Sequence, residues 1–220
     1  MIPTITAFTW VPPFARGFVR DIRARWAFEE ADQAYAVDLV DGPTVKGKAH
    51  RRFQPFGQIP TYRDDTVEIF ESGAIVMHIC ERAGVLVPSA PAARARATQW
   101  LIAALNSVEP WVMQLAVVDV FEADREWSGL RRPKVIDDLH ARLKDLAHAL
   151  GDKETLDGGD FSYGDLMMTS VLGGLRGTDI LDDHPNLAAY VARGEARPAH
   201  VKAMADHLAT FENAPQGEVA

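Results

Sequence analysis

Two short groups of residues in this chain have the types and the spacing to hold a charged small molecule. The first is Gln58-Ile59-Pro60, and the second is Glu71-Ser72, eleven positions past the proline. Pro60 pushes Ile59 out of the helical region and Gly57 breaks the run before it, so Gln58 and Ile59 read as an extended edge. Glu71-Ser72-Gly73 stands where a helix-periodic segment begins. Unpaired N–H groups and the positive end of the helix dipole gather at such a start and favour an anion. The Ser72 hydroxyl can donate to a carboxylate, and the Glu71 carboxylate can accept from an ammonium group. An amino-acid head group carries both charges on one carbon. The pair, facing an Ile-Pro edge, therefore suits a zwitterionic, peptide-like ligand. Taken singly, Ile59-Pro60 is an ordinary loop and Ser72 a helix cap.

The elements around these groups are legible from periodicity. Thr66–Phe70, after the charged turn Arg63-Asp64-Asp65, is β-branched and aromatic and reads as a strand. The helix opened by Glu71-Ser72-Gly73 has Ile75, Val76, Ile79 and Cys80 at helical spacing and stops at Arg82-Ala83-Gly84. Upstream, Thr4–Trp10 reads as a strand ended by Val11-Pro12-Pro13. A helix is expected from about Phe14 to Ala31, and a second strand over Ala34–Val40. Strand, helix, strand predicts a right-handed parallel βαβ unit. The full order, β-α-β, loop, β-(β)-α, is thioredoxin-like.

Val85–Pro91 reads as a linker, and the chain beyond it is helical in pattern. The helix over Ala92 to about Asp124 carries Leu101, Ala104, Leu105, Val108, Val112 and Leu115 on one stripe, with a kink expected at Pro110. Further helices are expected over Lys134–Leu150, after Ser162, and over Asn186–Arg193 and Pro198–Thr210. Ser162-x-x-Asp165 is a capping-box variant with Asp in place of Glu, which makes Asp165 a folding residue rather than a catalytic acid. The fold class is thus an α/β domain over 1–84 followed by an all-α helical bundle over 93–212. The end from Glu212 to Ala220 reads as frayed.

Composition narrows the classes of function. The chain has 220 residues, is 47% apolar and has a net charge of −8, which argues against nucleic acid as a partner. Residues 1–84 carry 10 basic and 11 acidic side chains, and the remainder carries 13 and 20, so the first part does not repel an anionic peptide. Charges interrupt the apolar stretches, so no membrane-spanning helix is expected, and Met1-Ile2-Pro3-Thr4 opens no leader pattern. Cys80 alone forms no internal disulfide or Cys-x-x-Cys pair, which suits a reducing cytoplasm. It reads as a buried small hydrophobe. The seven histidines show no metal-ligand spacing, with His140 and His148 on a solvated-looking face, and no metal is expected.

Gln58-Ile59-Pro60 followed by Glu71-Ser72, set between a strand and a helix, resembles the glutathione-binding half-site of the cytosolic glutathione S-transferase family. The second half is similar too, in its Ser162-x-x-Asp165 box and in the Arg197-Pro198-Ala199 start of a late helix. The resemblance implies a cis peptide before Pro60, with the Ile59 backbone paired to the cysteinyl part of glutathione. Glu71 and Ser72 would then hold the γ-glutamyl head. It also implies a thioredoxin-like domain followed by a helical one, glutathione as co-substrate, and a homodimer with the active site near its interface. The reaction implied is attack of the bound thiolate on a hydrophobic electrophile, or on a disulfide or peroxide.

The sequence departs from the family pattern where the thiolate is stabilised. A free thiol has a pKa of about 8.5, and a hydrogen-bond donor lowers it. That donor in the family is a Tyr, Ser or Cys just after the first strand, yet none of the three occurs between Met1 and Asp32. The Tyr-type position falls on Thr9 and the Ser-type position on Pro13. Candidates are the Thr9 hydroxyl, the backbone N–H groups of Phe14 and Ala15, and Arg16, with Thr9 the smallest departure; Trp10 is a pocket wall or core. Either Lys46 or Lys48 would meet the glycyl carboxylate; the run Lys46-x-Lys48-x-His50-Arg51-Arg52 otherwise reads as a solvated basic loop. Trp111, Met113 and Leu115 lie on the inner face of the long helix, as pocket or as core. A glutathione-dependent disulfide reductase or peroxidase, and a non-catalytic binding module, are the rival functions.

Overall fold

The computed structural model of the chain describes residues 1–212, so the expected frayed end lies, Glu212 apart, outside the described residues. Two compact units form. The first comprises Met1–Leu86 and, of the described residues, 196–212; the second is Val87–Glu195.

The first unit is built on a four-stranded sheet in the order β2-β1-β3-β4. Its strands are β1 (Thr4–Phe8), β2 (Ala36–Val40), β3 (Thr61–Arg63) and β4 (Glu68–Phe70). β1 and β2 are parallel, as two strands joined through a helix should be, while β1–β3 and β3–β4 are antiparallel. Helices α1 (Asp21–Glu30) and α4 (Ser72–Ala83) pack together. Between helices and sheet lies a core of Ile5, Ala7, Trp26, Phe28, Tyr62, Ile75 and Ile79. The order is thioredoxin-like, as the periodicity indicated.

Three local expectations are corrected. Helix α1 begins at Asp21, not near Phe14. Pro12 and Pro13 lead instead into a single 3-10 turn over Pro13–Ala15, and Gly17, at φ 83°, takes a left-handed backbone that a helix cannot continue. The basic run around Lys46–Arg52 is not a plain loop. It forms two short helices, α2 (Gly42–Lys46) and α3 (Lys48–Arg51), the first capped by Asp41, whose carboxylate accepts the Thr44 N–H at 2.8 Å. The last helix among the described residues, α10 (Pro198–Ala209), packs on α1 and so belongs spatially to the first unit although it follows the second in sequence.

The second unit is helical, with α5 (Pro91–Ala103), α6 (Glu109–Ala116), α7 (Glu126–Leu150), α8 (Tyr163–Leu172) and α9 (Pro185–Glu195). Around Pro110 the long helix widens: Ala104–Val108 and Val117–Phe121 are π-helical turns on either side of α6. Pro110 has no N–H for the ordinary helical bond, and the π turn just ahead of it absorbs that mismatch. The resulting stretch Pro91–Phe121 is 31 residues long and apolar enough to cross a membrane by length and composition. That overturns the expectation that charges interrupt every such stretch. Of its expected stripe, Leu101, Ala104, Val108, Val112 and Leu115 are buried and Leu105 is half-buried; a third of its most apolar window is buried.

Helix α7 starts eight residues before Lys134 and runs through Pro133. Outside contacts hold its first turns: Arg132 forks onto Asp119 at 2.6 and 3.0 Å, and Arg131 donates to Gln114. The capping box of α8 forms as expected. Asp165, wholly buried, accepts the Ser162 N–H at 2.9 Å, the Ser162 hydroxyl at 2.8 Å, the Leu156 N–H at 2.8 Å and the Tyr190 hydroxyl at 3.1 Å.

Candidate functional site

The sheet register brings the two residue groups together. Thr61 and Phe70 are partners at one end of the β3–β4 ladder. The residues next beyond that pair are Pro60 and Glu71, which therefore emerge side by side. β1 runs antiparallel to β3, with Ile5 opposite Tyr62 and the Thr61 N–H donating to the Thr6 hydroxyl at 2.8 Å. Continued along the strand, that register carries Phe8 and Thr9 to the same end. Val40, partner of Phe8 on parallel β2, arrives there as well. Ligands of open α/β sheets bind where parallel strands end, so Thr9, Pro60, Glu71 and Ser72 share the favoured edge.

Each member is held in a defined way. The Ile59–Pro60 peptide is cis, and Ile59 and Pro60 are both buried. Gln58 is exposed, and its carbonyl faces the buried His50 ring at 2.7 Å, so α3 fixes the edge from behind. Glu71 is exposed and sits at φ 72°, a left-handed conformation that a side chain with a Cβ adopts only where its surroundings impose it. Its carbonyl already accepts the Ile75 N–H at 3.0 Å, the first bond of α4. Ser72, 5% exposed, is the first residue of that helix, and the Arg23 guanidinium of α1 donates to its hydroxyl at 3.1 Å. The Ser72 hydrogen is thereby left to donate onward, towards an acceptor such as a carboxylate.

The candidates for stabilising a thiolate fare differently. Thr9 is half-buried; its N–H donates to the Val40 carbonyl at 2.9 Å, and its hydroxyl lies 3.5 Å from the same oxygen, too long for a strong bond. The Ala15 N–H is taken up by the Pro12 carbonyl at 2.9 Å, and no α-helix starts there to supply a dipole. Arg16 holds its guanidinium over the Phe211 ring, 5.8 Å from the centroid, and its Nε is buried without a hydrogen bond among the described residues. Trp10 is half-buried.

Both lysines are exposed, and Lys46 reaches the edge: its ammonium donates to the Gly57 carbonyl at 3.0 Å, one residue before Gln58, while Lys48 opens α3. In the second unit Trp111 and Met113 are half-buried and Leu115 is buried. Cys80 is buried in α4, and burial, then the charges of Glu30 and Glu81, push its thiol up to about 12. Among the described residues no three metal-ligating side chains converge.

Sequence reasoning misses Arg23 and His50. Arg23 lies 49 positions from the hydroxyl it touches, and nothing in its local pattern marks it. His50 sits in the sequence within a run of solvated-looking cations; an imidazole among lysines and arginines is the one available signal.

The match to known proteins covers both units. The family model described as glutathione S-transferase, N-terminal domain, fits residues 14–81. A glutathione S-transferase of Hyoscyamus muticus is 28% identical over 163 residues, covering 68% of this chain and 75% of that protein. Glutathione S-transferase F14 of Arabidopsis thaliana is 26% identical, covering 78% and 73%. Among solved structures, the theta class glutathione S-transferase of Xanthomonas axonopodis pv. citri, crystallised with glutathione, is 28% identical with a TM-score of 0.77, covering 92% of this chain and 96% of that one. A glutathione transferase of Burkholderia graminis, bound to two glutathione molecules per subunit, superimposes with a TM-score of 0.80 at 22% identity, covering 92% and 87%.

Proposed function

We propose that this chain, which belongs to the glutathione S-transferase family, binds glutathione as co-substrate at the edge formed by Gln58, Ile59, Pro60, Glu71 and Ser72. One observation carries the reading. The Thr61–Phe70 register sets the cis Ile59–Pro60 peptide beside Glu71 and Ser72, a carboxylate and a hydroxyl against an extended edge. On this edge Ser72, backed by Arg23, donates to the γ-glutamyl carboxylate and Glu71 accepts from the ammonium group. The Ile59 backbone pairs with the cysteinyl part, and Lys46 turns from the Gly57 carbonyl towards the glycyl carboxylate. The glutathione-bound structure of the Xanthomonas relative supports the ligand.

The reaction we assign is attack of the bound thiolate on a hydrophobic electrophile: a sulfur–carbon bond forms and the leaving group departs with the electrons of the bond it breaks. With a disulfide as substrate, the thiolate attacks one sulfur and the other leaves as thiolate. Thr9 is the side-chain donor nearest the family position. The chain works as a homodimer, and its buried thiol suits a reducing cytoplasm.

A second reading, a non-catalytic glutathione-binding module, draws on one observation: the Thr9 hydroxyl is turned to the Val40 carbonyl rather than open to a ligand. Retention on immobilised glutathione, combined with turnover assays against an aryl halide and a mixed disulfide, separates these outcomes. Binding with turnover of either substrate supports the enzyme and identifies its chemistry. Binding without turnover supports the module, and no binding defeats both.

A further inference from the structure

From the end of β1 at Phe8 to Asp21 the chain contains no α-helix; it holds one 3-10 turn, Pro13–Ala15, and the left-handed Gly17. Every candidate for stabilising a thiolate — Thr9, the Phe14 and Ala15 amides, and Arg16 — lies in this stretch. An irregular segment keeps one geometry only if contacts outside it offset the entropy of ordering it. At its start the anchor is the Thr9 N–H bond to Val40. At its far end the Gly17 N–H donates to Nε2 of His207, on α10, at 3.2 Å.

That bond determines the state of the imidazole. A backbone N–H can only donate, so His207 Nε2 accepts, and the ring proton of the neutral imidazole resides on Nδ1. Nδ1 faces Oδ2 of Asp21 at 3.1 Å, and the same oxygen receives the Arg25 Nε at 2.8 Å. His207 and Asp21 are both fully buried, and Phe211 meets the His207 ring edge to face at 5.0 Å. The Arg16 guanidinium lies over the Phe211 ring, 5.8 Å from its centroid. Asp21 thus fixes the tautomer, and the tautomer fixes which backbone amide the ring can hold.

We propose that His207 is a positioning residue: held by Asp21 as the Nδ1–H tautomer, it pins Gly17 and thereby sets the Thr9–Arg16 segment at the thiol. The loop's service to glutathione rests on the function proposed above; the pin itself does not. A helix from the far end of the chain, with no side chain assigned to the ligand, then controls how well the thiolate is stabilised.

Two substitutions separate the two bonds of the ring. His207→Asn keeps an amide donor near the Nδ1 position but has no atom where Nε2 was. His207→Gln places an amide oxygen near Nε2, able to accept from Gly17. The readouts are Gly17 amide hydrogen exchange by NMR, the apparent pKa of the bound thiol by absorbance titration, kcat, and glutathione Kd. In His207→Asn, Gly17 exchange rises about tenfold or more, as expected for one lost hydrogen bond. The thiol pKa then rises and kcat falls, while Kd changes little; His207→Gln restores Gly17 exchange, thiol pKa and kcat towards wild type.

Equal Gly17 exchange in wild type and His207→Asn overturns the proposal. So does faster exchange with thiol pKa and kcat unchanged, because the ring would then be structural only. Should His207→Asn fail to fold, Asp21→Asn weakens the Nδ1 anchor and must also speed Gly17 exchange; unchanged exchange there overturns the proposal. A wild-type chain that does not bind glutathione defeats the function but not the pin, which Gly17 exchange continues to decide.

Discussion

The Arg23 guanidinium donates to the Ser72 hydroxyl at 3.1 Å with both side chains buried, so the first residue of α4 is tied to the face of α1. The bond orients the hydroxyl: its oxygen faces Arg23 and its hydrogen is directed elsewhere. Ser72→Ala is therefore expected to weaken glutathione binding by about tenfold or more, the equivalent of one hydrogen bond to a charged group at ~1.5–3 kcal/mol. Calorimetric titration measures it, and an unchanged Kd removes Ser72 from the site.

Thr9 is the side-chain donor at the end of β1, and its bond to Val40 is long enough to be exchanged for a better acceptor. A thiolate is such an acceptor. Thr9→Val preserves shape and removes the donor, so the pKa of bound glutathione should rise towards the free value of about 8.5. A flat result in a thiolate absorbance titration eliminates Thr9 and shifts the role to the backbone amides or Arg16.

Asp165 accepts from the Ser162 and Leu156 amides and from the Ser162 and Tyr190 hydroxyls. Asp165→Ala leaves several buried donors without partners, and each lost partner destabilises by ~1–3 kcal/mol. A total of about 3 kcal/mol or more is expected, read as a melting point lowered by roughly 6–12 °C. Glutathione affinity, measured where the variant is folded, should stay within about twofold, because the box supports folding rather than the ligand.

Asp64 gives the chain an acid-sensitive turn between β3 and β4. Burial works to raise its pKa, but bonds from the Thr66 and Tyr62 hydroxyls and from the Thr66 and Val67 amides outweigh it and hold the carboxyl well below the usual range. A depressed folded pKa contributes stability above the unfolded value of about 3.9, and that contribution is lost as pH falls through the folded value. Asp64→Asn should therefore be less stable than wild type at pH ~7, with the gap closing as pH drops below about 4. Urea unfolding at the two extremes tests this; a gap that persists in acid refutes it. The partner Tyr62, pushed up to about 12 by burial and then by its bond to Asp64 and that residue's charge, keeps its proton throughout this window.

Cys80 should be inert in the native state. Only the thiolate reacts, and a buried thiol pushed up to about 12 is almost wholly protonated at neutral pH. A disulfide reagent should modify it only after unfolding, and rapid native-state labelling would contradict its burial.

The readable parts of this fold are those encoded over a few residues. An Ile-Pro dipeptide after Gly57, a hydroxyl ahead of Ile75, Val76, Ile79 and Cys80, and a Ser-x-x-Asp before an apolar run each act within one helical turn or one strand end. The start of α1 is not legible because Phe14–Arg20 has helical periodicity, but Gly17 is left-handed and its amide is used by a side chain 190 positions away. The basic run reads as a solvated loop because local pattern says nothing of Arg51 donating to the Pro55 carbonyl at 2.8 Å or Lys46 to that of Gly57. Pro133 looks like a helix boundary, yet α7 passes through it, with Arg132 on Asp119 and Arg131 on Gln114 tying its first turns to the preceding segment.

By itself the sequence determined which dipeptide forms the edge, which carboxylate and hydroxyl stand at the helix start, and that no Tyr, Ser or Cys precedes Asp32. Those are properties of residue type and short spacing, where backbone sterics and capping leave few choices. The tertiary structure decided that Pro60 and Glu71 are neighbours, that Arg23 backs Ser72, and that His207 holds Gly17. Each is a contact between segments remote in sequence, selected by strand register and helix packing, which no local pattern of residues contains.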